Sequence, residues 1–179
     1  MLSVLRKIFI LTAVLTFHIA FVPALSAPMS LLNVVLVFLI FISVVYEFYH
    51  SLAYGLVMGL FLDLYSALPF GAMLLSLMIT LYVVYKVFQH LLTNKSFYTL
   101  LGLTGLATIV YNLVLYFYLL LFYFVQTKDK ELLVGLSVQK GHDFLWQLLL
   151  NLVFAALLFF VFNSISRKFK AVFIEAKRN

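Results

Sequence analysis

Residues 53–71 read AYGLVMGLFLDLYSALPFG. This is an apolar run carrying two glycines four apart, a carboxylate four residues further on, and a proline and a glycine at its end. Within Leu52–Leu68 only Asp63 bears a formal charge, and its 17 residues, at ~1.5 Å each, reach about 25 Å as a helix. That is short for a membrane span, and the Leu68, Pro69, Phe70, Gly71 sequence breaks it. The stretch reads as a membrane helix that ends in a tight turn.

Composition places the rest of the chain in the same solvent. Of 179 residues, 66% are hydrophobic and 10% charged, against roughly 45–50% and about 25% in a soluble domain. Twelve Lys and Arg with six Asp and Glu cannot cover the surface of a water-soluble fold of this size, so the remaining apolar surface faces lipid. The charges fall in short runs between long apolar stretches, which leaves no room for a soluble catalytic module. The absence of cysteine excludes disulfides, thiolate metal sites, cysteine nucleophiles and palmitoylation.

Intervals between charges mark the spans. Ile8–Tyr46 has 39 residues without a formal charge, too many for one crossing, and Pro23 and Pro28 divide it into two helices. Six transmembrane helices are expected, at about 8–24, 31–48, 52–68, 72–89, 97–126 and 144–163, in a single all-α bundle covering residues 1–179. With the N-terminus in the cytoplasm, the inside segments hold nine basic residues: Arg6, Lys7, Lys86, Lys95, Arg167, Lys168, Lys170, Lys177 and Arg178. The outside segments hold three, Lys128, Lys130 and Lys140, so both termini are expected inside. The net charge of +6 is then a topology signal supported by anionic headgroups. Nucleic acid is not an expected partner, because the basic residues form no stripe interleaved with aromatics. An alternative lies at the N-terminus, where Arg6, Lys7, an apolar run and the small residues Ala24, Ser26 and Ala27 resemble a secretory signal peptide. The uncleaved reading is preferred because the run is long and a second hydrophobic segment follows at once.

Asp63 is the acidic residue that stands apart. Asp129, Glu131 and Asp143 belong to the loop before the last span, Glu175 to the tail and Glu47 to a helix end, whereas Asp63 lies deep among apolar neighbours. An ionisable group there costs at least ~2.5 kcal/mol on insertion scales unless it is paired, hydrated or protonated. Ser51, Gly55, Gly59, Asp63 and Ala67 follow at intervals of four, and each such step drifts only about 40° around a helix. The glycines and the carboxylate therefore share a narrow stripe. The Gly55 and Gly59 pair fits the small-xxx-small pattern of closely approaching helices, either within this bundle or against a partner's helix. Asp63 calls for a polar partner, with Asn112, Tyr111, Gln147, Asn151 or a lysine as internal choices, and partner contact or small-molecule and proton handling as external ones.

In order and spacing, Gly55, Gly59, Leu60, Asp63, Leu64, Ser66, Pro69 and Gly71 resemble the signature of the MreD family of bacterial rod-shape-determining membrane proteins. Length, six spans and internal termini extend the resemblance over the whole chain, although specific residues carry it only from about 53 to 71. The resemblance implies a non-enzymatic, multi-pass subunit of the elongation (rod) complex in the bacterial cytoplasmic membrane, supporting lateral peptidoglycan synthesis. It implies MreC as the partner, met through a membrane helix and its external domain, and MreB, RodA and its transpeptidase indirectly through MreC. The family is also similar in fold to substrate-binding membrane subunits of energy-coupling-factor vitamin transporters, and a small-molecule importer subunit is the alternative reading.

Other features carry less. His18, His50, His90 and His142 fall in four segments and never at helical metal-pair spacing, and no phosphate loop or hydrolase elbow occurs. No cofactor or metal is called for. Tyr111, Tyr116, Tyr118 and Tyr123 crowd the fifth span too densely for an interfacial belt alone, so some hydroxyls must reach partners on other helices. Gln147 and Asn151 share a face of the last span and are expected to cross-link helices. The residues expected to hold the packing or the partner are Gly55, Gly59, Asp63, Ser66, Pro69 and Gly71, with Pro69 and Gly71 shaping the external turn.

Overall fold

The computed structural model describes residues 2–45, 48–91, 96–126 and 143–164. Among them are six helices and no strand: α1 (Leu2–Thr16), α2 (Val34–Val45), α3 (Phe48–Tyr65), α4 (Ala72–Leu91), α5 (Phe97–Gln126) and α6 (Asp143–Ser164). Four apolar stretches are long enough to cross a membrane: Leu5–Ala24, Ala72–His90, Phe97–Phe122 and Asp143–Ser164. Residues 127–142 and 165–179, with most of the charges that orient the chain by sequence, lie outside the described residues.

The helix α1 continues through a π-helical turn, Phe17–Phe21, and a 3-10 turn, Val22–Ala24. The Val22 N–H bonds the Phe17 carbonyl five residues back, which is the π register. Pro23 follows at the start of the 3-10 turn and has no N–H with which to resume an α-helix.

The second and third helices differ from the intervals read off the sequence. With 12 residues, α2 is about 18 Å long, because Met29–Leu31 form a 3-10 turn and Leu32 is extended. Asn33 then caps the helix: its Oδ1 accepts from the Leu36 N–H at 3.0 Å and its carbonyl from the Val37 N–H at 3.1 Å. Val35, Leu36, Val37, Leu39 and Ile40 of α2 have no exposed surface. A helix apolar on every side is one that protein surrounds, and α2 forms the centre of the bundle. It is followed by α3, which starts ahead of the expected Leu52 and ends ahead of Leu68. Its end coincides with Ser66, whose Oγ donates to the Asp63 carbonyl at 3.4 Å and accepts from the Leu68 N–H at 3.3 Å, offering the backbone a turn in place of another helical bond.

Side-chain pairings give the directions. Rings of Phe48 and Tyr85 stack at 3.9 Å at one end of the α3–α4 pair, and the turn 66–71 closes the other, so the two helices are antiparallel. Likewise α5 and α6 are antiparallel, with Asn112 bonded to Gln147 near one end and Phe97 against Phe159 at 5.2 Å near the other. The start of α2, the α3–α4 turn, the second half of α5 and the start of α6 therefore gather at one end of the bundle.

Outward faces are apolar at helical spacing: Ile109, Leu113 and Phe117 on α5, and Leu145, Leu149, Val153 and Leu157 on α6. The inner faces hold buried Ser76, Thr80, Thr104, Thr108 and Asn151. Ser76, Thr80 and Thr108 turn their hydroxyls onto the carbonyl four residues back. Apolar surfaces outside and small polar groups inside, bonded except for the Thr104 hydroxyl, are the arrangement expected where lipid is the solvent.

Candidate functional site

The site begins with how closely α3 lies on α4. A Cβ placed on Gly59 would stand 2.8 Å from Leu74 Cδ1 and 3.1 Å from Leu74 Cα, so a methyl group there presses on backbone. At Gly55 the added Cβ would meet Leu81 Cδ1 at 2.6 Å, Met78 Cε at 2.9 Å and Leu39 Cδ1 at 3.6 Å, all ends of flexible side chains. The glycine stripe is thus occupied from within, by α4 along its length and by α2 at Gly55. It presents no open groove to another protein.

Asp63 closes the same interface. Its carboxylate, 4% exposed, accepts three backbone hydrogen bonds from the start of α4: Oδ2 from the Gly71 N–H at 3.1 Å and the Leu74 N–H at 3.1 Å, and Oδ1 from the Met73 N–H at 2.9 Å. The physical reason lies in the turn. Gly71 has φ +92°, a conformation that glycine adopts without steric cost. It precedes Ala72, the first residue of α4, and so occupies the cap position with no side chain to cap with. The orphan N–H groups of a helix start need an acceptor, above all in hydrocarbon, and Asp63 supplies it from eight residues upstream. A negative group at a helix N-terminus is also favoured by the helix dipole. Pro69 accepts from the Ala72 N–H at 3.1 Å, and Gly71 accepts from the Leu75 N–H at 2.9 Å. From α5, Tyr118 donates its hydroxyl to the Phe70 carbonyl at 2.9 Å and ties the turn to the bundle.

The side chains expected to meet Asp63 do other work. Asn151 Oδ1 accepts from the Asn33 N–H at 2.9 Å, and its Nδ2 donates to Thr108 Oγ1 at 3.0 Å. Asn112 Nδ2 donates to the Thr108 carbonyl and to Gln147 Oε1, each at 2.8 Å. Tyr111, 4% exposed, lies beside the Asn33 side chain. These amides and hydroxyls join α5 and α6 to the start of α2, beside the Asp63 turn and separate from it. Of the crowded tyrosines, Tyr111 and Tyr118 reach other segments, while the side chain of Tyr123 lies outside the described residues.

Sequence reasoning passed over Asn33 and Thr108. An asparagine immediately before the apolar run from Val34 is a helix-start signal, and it was available to find the first. Thr108 had no such mark, since its role depends on which helix faces it.

The arrangement holds helices in register. It brings together a carboxylate, three amide N–H groups and a glycine-built turn. Compared with known families, residues 2–169 match the model for rod shape-determining protein MreD. Neither a curated protein nor a solved structure matches the chain. A family match over nearly the whole length, on a bundle whose apolar faces point outward, identifies a membrane protein with a role in rod-shape determination: the chain belongs to the MreD family.

Proposed function

We propose that this chain is a non-enzymatic subunit of the bacterial cell-elongation complex. It sits in the cytoplasmic membrane with six spans and both termini inside, binds MreC, and through MreC serves MreB, RodA and the transpeptidase in lateral peptidoglycan synthesis. Family membership across residues 2–169 carries the reading. A physical argument supports it: the Asp63 carboxylate and the Asn33, Asn112, Asn151 and Gln147 amides bond backbone or one another, so the protein acts on others through its outward faces. Because α4 fills the Gly55 and Gly59 stripe, the glycines serve partner binding by fixing the shape of the α3–α4 pair, while the contact itself falls on exposed residues.

The test is co-expression of the tagged chain with MreC, detergent extraction and pull-down, beside complementation of a rod-shaped bacterium deprived of its own family member. Co-purification with MreC and restored rods are expected. Round cells together with loss of MreC from the pull-down would overturn the reading.

A further inference from the structure

A cavity of about 740 Å³ opens at the end of the bundle that holds the Asp63 turn. Its volume lies within the ~300–1,000 Å³ of small-molecule sites. The lining changes with depth. It starts at the level of Asp143, where α6 begins, and passes Gln147, paired with Asn112 of α5, about 6 Å further in at ~1.5 Å per residue. One turn of α5 deeper it reaches Ile109, and Leu62 of α3 and Met73 of α4 add apolar wall. Ile109 and Leu113 also belong to the outward stripe of α5, exposed by 41% and 63%. The cavity therefore opens sideways, onto the apolar face of the bundle.

The amide pair sets what the wall can bind. Asn112 Nδ2 donates to the Thr108 carbonyl and to Gln147 Oε1, each at 2.8 Å. These two bonds fix which way both amides face, and they leave the Gln147 Nε2 donor without a bond among the described residues. The buried side-chain atoms that lack a partner are His18 Nδ1 and Thr104 Oγ1. Gln147 Nε2 is not one of them, so its N–H groups face open space, and the space that Gln147 lines is this cavity. A donor at a wall otherwise apolar calls for an acceptor. In a lipid leaflet the acceptor between head and tail is the acyl ester carbonyl. A lipid whose ester meets Gln147 would place its head at the level of Asp143 and its chain against Ile109, which is the order of the lining.

We propose that this cavity holds an acyl chain of a glycerophospholipid from the adjoining leaflet, with an ester carbonyl accepting from Gln147 Nε2 and the chain lying along Ile109 and Leu113. Asn112 is the positioning residue, since it holds the Gln147 amide in the orientation that points its N–H groups at the ester. The head lies beyond this contact and takes no part in the assignment. The site is independent of the MreC reading, since it takes a lipid and not a protein.

The experiment is native mass spectrometry of the full, delipidated chain in detergent, titrated with palmitoyl-oleoyl phosphatidylethanolamine and with its dialkyl-ether counterpart. The two lipids share head and chains, so whatever the head meets cancels in the comparison. One ester lipid per chain is expected, at least fivefold tighter than the ether. Ile109→Trp, which fills the mouth from a lipid-facing position, should weaken both lipids at least fivefold. Gln147→Met, which removes the donor, should bring the ester down to the affinity of the ether and leave the ether as it was. A purely structural loss would instead move the two lipids together. If one variant fails to fold, the other decides. Graded, unsaturable adducts, equal affinity of ester and ether for the wild type, unaltered binding in folded Ile109→Trp, or an ester preference that survives in folded Gln147→Met would each overturn the proposal.

Discussion

Gly71 and Asp63 complement each other: the glycine adopts φ +92° and leaves its helix uncapped, and the aspartate, eight residues earlier, takes the Gly71 N–H at 3.1 Å together with two more from the same helix start. One residue creates the need that the other meets. The pair explains why an acidic residue sits deep in an apolar segment, where its cost is otherwise unrecovered.

Replacing Asp63 should therefore act on stability first. Asp63→Ala leaves three N–H groups without this acceptor, at a cost of about 1–3 kcal/mol for each buried group left unsatisfied. Asp63→Asn keeps one acceptor oxygen and turns an amide donor toward donors, so it should fall between wild type and Ala. Thermal melts of the detergent-solubilised protein followed by size-exclusion fluorescence would show this order. An Ala variant that melts with the wild type would refute the capping role.

At the glycine stripe the two positions should not respond alike. Gly59→Ala presses on the backbone of Leu74, while Gly55→Ala meets only the tips of Leu81 and Met78. Overpacking costs about 1–3 kcal/mol, with Gly59 expected at the upper end and Gly55 at the lower. The same melts decide it, and a Gly55 variant more damaged than the Gly59 variant would contradict the packing described.

Asn151 bridges α2, α5 and α6 through two hydrogen bonds. Asn151→Leu should lower stability by more than the ~0.6 kcal/mol average for polar contacts between membrane helices, because it also strands the Asn33 N–H. Thr108→Val removes one hydroxyl and should cost less. The reverse order in a chemical-denaturation series would place the weight of the network elsewhere.

Topology can be read directly, since the chain has no cysteine. Ser137→Cys should react with a membrane-impermeant maleimide on spheroplasts, whereas Ser3→Cys and Asn179→Cys should react only after permeabilisation. Labelling of Asn179→Cys in intact spheroplasts would reject six spans with internal termini.

Much of the bundle was legible as helical membrane segments because hydrocarbon demands long uncharged runs, and the runs from Ala72 and Phe97 are bounded by charge or proline. The stripe of Gly55, Gly59 and Asp63 was legible because a period of four is a helical face. The partners of Asp63 were not. Backbone N–H groups carry no residue identity, so a search among Asn112, Tyr111, Gln147 and Asn151 could not reach Gly71, Met73 and Leu74. Nor could the run from Val34 to Val45 declare whether lipid or protein surrounds it, since both environments accept the same valines and leucines.

By itself the sequence determined the solvent, the helical class, the position of the α3–α4 turn and the residues that resemble the family, because each follows from local composition and spacing. Only the tertiary structure decided that α2 is the core, that the glycines face α4 inside the bundle, and that Asp63 caps a neighbouring helix. These depend on which faces meet, and a face finds its partner only when burial, close approach and hydrogen-bond satisfaction are met together in three dimensions.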